Sequence, residues 1–291
     1  MTIDAPLAPG VAPPPAGGAP SRRRARGTGG TSLTRSSGLG LGIALTWFSL
    51  LVLIPLCLVV IQSIDGGWAT FRETITNPQT AAALRLTVTQ SVIVTAINVV
   101  MGTLIAWVLV RDDFPGKRLL EVVIDIPFAL PTIVAGLVLL SLYGPESPLG
   151  VNVANTERSV FLALLFVTLP FVVRTVQPVL MELDRDVEEA AASLGASRFT
   201  TLRRIILPSL APAITAGAAL SFARGISEYG SLVLLSGNLP LKTEVASVRI
   251  LTYIENGNEA AAASVATILL VVALAAIVLL QLISRWVARR G

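Results

Sequence analysis

EEAAASLGASRFTTLRRIILPSLAPA, residues 188–213, lies between two long apolar segments, yet it is charged, alanine-rich and interrupted by one glycine. Val187, Ala190, Ala191 and Leu194 recur at i, i+3, i+4 and i+7, which places them on one face of a short helix. Glu188, Glu189 and Ser193 take the rest of its surface. Gly195 follows where a helix C-terminus favours a residue tolerant of left-handed geometry. A second short helix is expected beyond it, with Phe199, Leu202, Ile205 and Ile206 on one side and Arg198, Arg203 and Arg204 around it. Pro208 stands where the next long helix begins, a position at which its missing N–H matters little. Two readings fit this stretch: a compact helix–turn–helix knob whose alanines admit a partner closely, or an amphipathic loop lying on a membrane surface. Spacing alone leaves both open.

The surroundings are those of a membrane protein. Of 291 residues, 53% are hydrophobic and only 14% are charged, against about 25% charged in an ordinary soluble domain. Six stretches, 39–63, 86–110, 121–143, 159–180, 208–235 and 263–286, are apolar over the ~20 residues that a spanning helix needs. Arg174 interrupts the fourth and reads as a marker of the cytoplasmic interface. Pro127 and Pro131 in the third are expected to bend it, or to free backbone groups beside a cavity. The expected fold is an all-α polytopic membrane protein with about six transmembrane helices.

Charge gives the orientation. Lys and Arg number five in the N-terminal tail, three between the second and third spans, five around the loop between the fourth and fifth, and three at the C-terminus. The alternate loops hold two, one and two, with Arg224 left inside the fifth span. The positive-inside rule therefore places both termini and the 188–213 stretch in the cytoplasm. Residues 1–38, rich in Pro, Gly and Arg, read as a disordered basic tail. Its SRRRAR cluster is a topology determinant, with contact to anionic membrane lipid as the alternative. The first apolar run starts late and is longer than the apolar region of a cleavable signal.

Several chemistries are excluded. The lone Cys57 permits no intrachain disulfide and reads as apolar packing. Without a histidine there is no HExxH site and no Ser-His-Asp triad. No GxxxxGK[ST] segment occurs to cradle a nucleotide, nothing suggests a metal site or a nucleic-acid partner, and the chain is not expected to be an enzyme.

Glu189-Ala190-Ala191, three residues, Gly195, nine residues, Ile205, one residue and Leu207-Pro208 match every fixed position of the EAA loop of ABC importer permeases. In that family the loop is a coupling helix seated in a cleft of a cytoplasmic ATPase, so the resemblance favours the knob. Residues 75–89 (ITNPQTAAALRLTVT), 125–137 (DIPFALPTIVAGL), 170–197, 219–238 (ALSFARGISEYGSLVLLSGN) and 242–247 (KTEVAS) resemble the T-type permeases of sulfate/thiosulfate ABC importers. The resemblance implies a type I importer permease domain over 39–291 with its coupling loop at 182–208, multi-pass in the cell inner membrane. It also implies two ATPase subunits that bind the ATP and Mg2+ this chain does not, a homologous W-type permease and an extracytoplasmic sulfate-binding protein. Molybdate or tungstate permeases share the EAA loop and remain an alternative, as does, from another class, a non-transporting membrane scaffold. Where the sulfate family often has Gly and Phe, this chain has Ser227 and Tyr229, each adding a hydroxyl.

An intramembrane charge is a functional candidate by default. Arg224, whose planar fork suits a tetrahedral oxyanion, is the candidate anion-pathway residue, with Ser221 and Ser227 as neighbouring donors. Glu228, one turn on, reads as the structural partner of an ion pair with Arg224. An internal pair and an anion contact are both compatible with that spacing.

Overall fold

The computed structural model describes residues 35–288. The chain divides into two units, Met1–Leu51 and Val52–Gly291. Of the expected tail, residues 1–34 lie outside the described residues, while 35–38 belong to the first helix, α1 (Arg35–Phe48). The second unit holds α2 (Ile54–Asp65), α3 (Gly67–Thr76), α4 (Pro78–Arg111), α5 (Lys117–Ala129), α6 (Thr132–Tyr143), α7 (Glu157–Glu182) and α8 (Arg185–Ser193). It continues with α9 (Arg198–Thr201), a π-helical turn (Leu202–Ile206), α10 (Leu207–Ile226), α11 (Gly230–Leu235), α12 (Ala246–Glu255) and α13 (Glu259–Ala288). Among the described residues there is no strand. Five helical stretches are long and apolar enough to cross a membrane: Ser37–Asp65, Pro78–Arg111, Glu157–Glu182, Arg198–Ile226 and Glu259–Trp286. The bent pair α5–α6 makes a sixth if counted as one span.

Packing centres on α4, α7 and α10, which touch one another along their lengths, with α13 against α10 and α2. The burial pattern of α4 is that of a lipid-facing helix turned polar side in. Thr80, Thr87, Ser91, Thr95 and Asn98 are buried, whereas Val92, Val100, Met101 and Leu104 face outward. Hydrocarbon offers no reward for hiding apolar groups, so the interface takes small residues and hydrogen bonds. Two apolar clusters result. One joins Leu109, Val172, Val176, Leu180, Ile206 and Leu210 toward the C-terminal end of α7 and the N-terminal end of α10. The other joins Val94, Val160, Leu164, Leu232, Leu235 and Val245 at the opposite side. Between them Asn98 Nδ2 donates to Thr168 Oγ1 at 2.8 Å and Ser221 Oγ at 3.2 Å, tying the three central helices together.

Glycine sets how closely these helices approach. A Cβ on Gly102 of α4 would stand 2.8 Å from Val172 Cβ of α7, and one on Gly217 of α10 would stand 3.0 Å from Val172 Cα. Gly102→Val is therefore expected to push α4 off α7 at an overpacking cost of about 1–3 kcal/mol. A lowered thermal aggregation midpoint of the detergent-extracted protein checks this; an unchanged midpoint would show that the seam yields.

Three expectations from the sequence change. The third span is not a gently bent helix: α5 and α6 meet at 118°. Leu130, forced toward extended geometry by the following proline, has ψ 135°, and Pro131 has ψ 136°. Two successive extended residues break a helix instead of kinking it. The expected fifth span, 208–235, ends at Ile226, and α11 begins only at Gly230 after a three-residue turn. At its other end the expected separate second helix does not exist as such. Helical structure runs from Arg198 through the π turn into α10, and Leu207 N–H reaches back to Leu202 O. A π turn widens the helix just before Pro208, which gives the proline ring room against the carbonyl four residues back.

Candidate functional site

The knob expected from the sequence is built from α8 and α9. Asp184 starts α8 by accepting the Asp186 N–H at 3.0 Å. Its end has two reverse bonds, Gly195 N–H to Ala192 O at 2.9 Å and Ala196 N–H to Ala191 O at 3.0 Å. Gly195 at φ +83° supplies the left-handed residue that this Schellman closure needs. Ser197 then starts α9 by accepting the Thr200 N–H at 3.2 Å. Glu188 forms an ion pair with Arg111, the last residue of α4, whose guanidinium lies 5.5 Å from the Trp107 ring centroid. The knob is thereby tied to a membrane helix by Glu188, and Glu189 is left exposed.

Among the described residues, most of the apolar side of α8 and the neighbouring Phe199 is uncovered. Leu194 is 89% exposed, Phe199 69% and Val187 49%. Of the matched positions, Glu189, Ala190, Gly195 and Leu207 are exposed, and Ala191, Ile205 and Pro208 are half-buried. They do not form one patch. Glu189, Ala190 and Ala191 are on α8, Gly195 makes its terminating turn, and Ile205, Leu207 and Pro208 belong to the helical stretch that enters the membrane.

The second candidate site is the break after α10. Arg224 lies in the last turn of α10, where the helix dipole favours a cation. Its Nη2 is 2.6 Å from Glu228 Oε2. Glu228 is fully buried, and its Oε1 accepts both the backbone N–H and the hydroxyl of Ser231, each at 2.9 Å. One carboxylate thus joins the C-terminus of α10 to the N-terminus of α11. The turn is also held from α12, since Ser247 Oγ donates to Glu228 O at 2.7 Å, and α12 is itself anchored on α4 by Ala246 N–H donating to Thr87 Oγ1 at 2.8 Å. Arg224 keeps 29% of its side chain open. Ser227 is exposed and donates to the Arg224 carbonyl at 3.2 Å. Ser221 is not with them at the surface: it is buried and accepts from Asn98.

Residues 98–290 match the family described as "Binding-protein-dependent transport system inner membrane component". This chain belongs to that family. Among curated relatives, the permease is 42% identical over 243 residues to "Sulfate transport system permease protein CysT" of Escherichia coli (strain K12), covering 81% of this chain and 88% of that protein. It is 39% identical over 251 residues to the protein of the same name from Synechocystis sp., covering 84% and 88%. Among solved structures, the permease superposes on a chain of a bacterial alginate ABC transporter in complex with an alginate pentasaccharide-bound periplasmic protein. The TM-score is 0.69 at 17% identity, over 86% of this chain and 94% of that one. That likeness establishes the type I importer permease fold of a multi-pass membrane protein.

Several contacts escaped the sequence reading: Arg111 with Glu188, Asn98 with Thr168 and Ser221, and Asp125 with Arg174. In each the partners are at least 49 residues apart, and no local spacing signals them.

Proposed function

We propose that this chain is the T-type permease subunit of an ATP-driven importer of sulfate and thiosulfate in the cell inner membrane. The observation that carries the reading is the identity shared with curated sulfate permeases across most of both chains. The site chemistry agrees with it. Arg224 offers a partly open guanidinium at the outer end of the helix that starts in the coupling loop, and a planar fork donates two bonds at once to a tetrahedral dianion. Moving that dianion into an interior-negative cell costs about 2.3 kcal/mol per charge per 100 mV, so roughly 5 kcal/mol before any concentration gradient. Passive uptake of a scarce anion would run outward.

The energy in this reading comes from two ATPase subunits that bind ATP and Mg2+, each receiving one coupling knob. This chain carries a single knob, and a homologous W-type permease supplies the second. An extracytoplasmic sulfate-binding protein delivers the anion. ATP binding draws the knobs together and opens the path outward, and hydrolysis returns it inward.

The experiment is labelled sulfate uptake in a host lacking this gene, with and without the chain restored. Restored uptake, blocked by excess thiosulfate and not by molybdate, is the expected result. Undiminished sulfate uptake with lost molybdate uptake would reassign the cargo. In the same assay Arg224→Lys, which keeps a cation against the buried Glu228 carboxylate and loses the planar fork, is expected to lower uptake at least tenfold while the protein still inserts and assembles. Wild-type uptake by that variant would leave the fork of Arg224 without a transport role.

A further inference from the structure

A second arginine–carboxylate pair lies within the spanning region, on elements that the break after α10 does not use. Arg174 sits eight residues before the end of α7, about 12 Å along the axis from its cytoplasmic tip. Its Nε donates to Asp125 Oδ1 at 2.7 Å and its Nη2 pairs with Asp125 Oδ2, a bidentate fork. Nη1 donates to Gln177 Oε1 at 2.7 Å and Nη2 to the Glu121 carbonyl at 3.2 Å. Asp125 lies eight residues into α5 from Lys117, at the matching depth. Arg174 is thus a member of a built cluster within the helix bundle and not a marker of the membrane surface.

Neither charge is enclosed. The Arg174 and Asp125 side chains keep 32% and 48% of their surface open. Charged groups within a membrane span face a protein interior or water, not hydrocarbon. The depth relation to Arg224 follows from packing. Gly217 of α10 rests on Val172 of α7. Arg224 is seven residues further outward along α10, and Arg174 is two residues further inward along α7. The two arginines are therefore separated by about 13 Å along the membrane normal.

We propose that Arg174 is an inner anion-binding station of the translocation path, rested on Asp125 when empty and exchanging that carboxylate for the transported dianion. The inference rests on the anion-import reading above. A fork that fits a carboxylate edge-on also fits two oxygens of sulfate. Gln177 and the Glu121 carbonyl hold the guanidinium in place during the exchange. An unpaired arginine would retain a dianion, whereas conduction requires binding weak enough to release. Asp125 supplies the competing anion. It stands on the limb before the 118° break, so a swing of α5 about Leu130 and Pro131 is the motion that would separate the pair.

The test is sulfate uptake by the complete importer, with its partner subunits and binding protein, in proteoliposomes. The neutral double variant Arg174→Gln/Asp125→Asn removes both charges, with Asn isosteric to Asp and the shorter Gln keeping a polar amide. The expected result is normal assembly and basal ATPase with at least a tenfold loss of maximal uptake. Asp125→Asn alone is expected to lower the maximal rate and KM together, because the dianion leaves more slowly. Uptake by the double variant within twofold of wild type would overturn the proposal and leave the pair as a structural ion pair. Should the double variant fail to assemble, Arg174→Lys keeps the charge and loses the fork; assembly with tenfold reduced uptake supports the station, and wild-type uptake overturns it. Failure of the function reading registers separately: the wild-type importer then takes up no sulfate, and the inference falls with it.

Discussion

Leu194→Asp is expected to abolish transport-coupled ATP hydrolysis while the chain still inserts and folds. Leu194 is 89% exposed and follows the last residue of α8, with Phe199 and Val187 also turned outward. Burying one such side chain contributes about 1.5–3 kcal/mol, and an anchor at the centre of an interface is worth 2 kcal/mol or more. A carboxylate in its place adds a desolvation penalty on the same site, so the ATPase subunit should bind at least 30-fold more weakly. The fold itself loses nothing, because the reverse bonds of Gly195 and Ala196 and the Glu188–Arg111 pair do not involve the Leu194 side chain. Copurification of the ATPase, read beside the thermal aggregation midpoint of the permease, checks the separation. An ATPase that stays bound at the wild-type level would remove the knob from the coupling role. Glu189→Arg, exposed on another side of α8, is expected to act in the same direction with a smaller effect.

Glu228→Ala should have the opposite signature, loss of the folded permease. The substitution takes away the acceptor for the Ser231 N–H and hydroxyl and leaves Arg224 without its carboxylate. Breaking a buried pair by removing one partner costs about 3–5 kcal/mol. Because Arg224 is 29% open and water can screen it, the lower end, about 3 kcal/mol, applies here. A drop of roughly 5 °C in thermal midpoint follows for a chain of this size. Glu228→Gln keeps an oxygen for Ser231 and discards the charge, so it should recover part of the loss. If Glu228→Ala retains the wild-type midpoint, the junction between α10 and α11 is held by Ser247 and the helix packing alone.

These two sites differ in how they could be read from the chain. The helix-and-turn geometry of the 188–213 stretch was legible because it is local. Gly195 sits at φ +83° where the glycine was expected to end a helix, and the i, i+3, i+4, i+7 face of α8 carries exposed apolar residues. The break after α10 was hidden because 208–235 carries only two charges, Arg224 and Glu228, and hydropathy averaged over a span does not register a turn. Ser221 and Ser227 look equivalent in sequence, six residues apart on one helix. Packing separates them, turning Ser221 onto Asn98 and leaving Ser227 at the surface.

By itself the sequence determined four of the apolar spans and the short helix that Gly195 ends, since each depends on residues within one segment and on the solvent that segment meets. Apolar length is set by bilayer thickness, and sidedness by the lysines and arginines of the loops. Tertiary structure alone decided the 118° turn between α5 and α6, the close seam at Gly102, Val172 and Gly217, and the pairing of Arg174 with Asp125 and of Arg111 with Glu188. In a bilayer apolar side chains gain little by choosing one neighbour over another. The arrangement of the helices therefore falls to close contact at small residues and to a few polar bonds between distant positions, which appear only once the helices are packed.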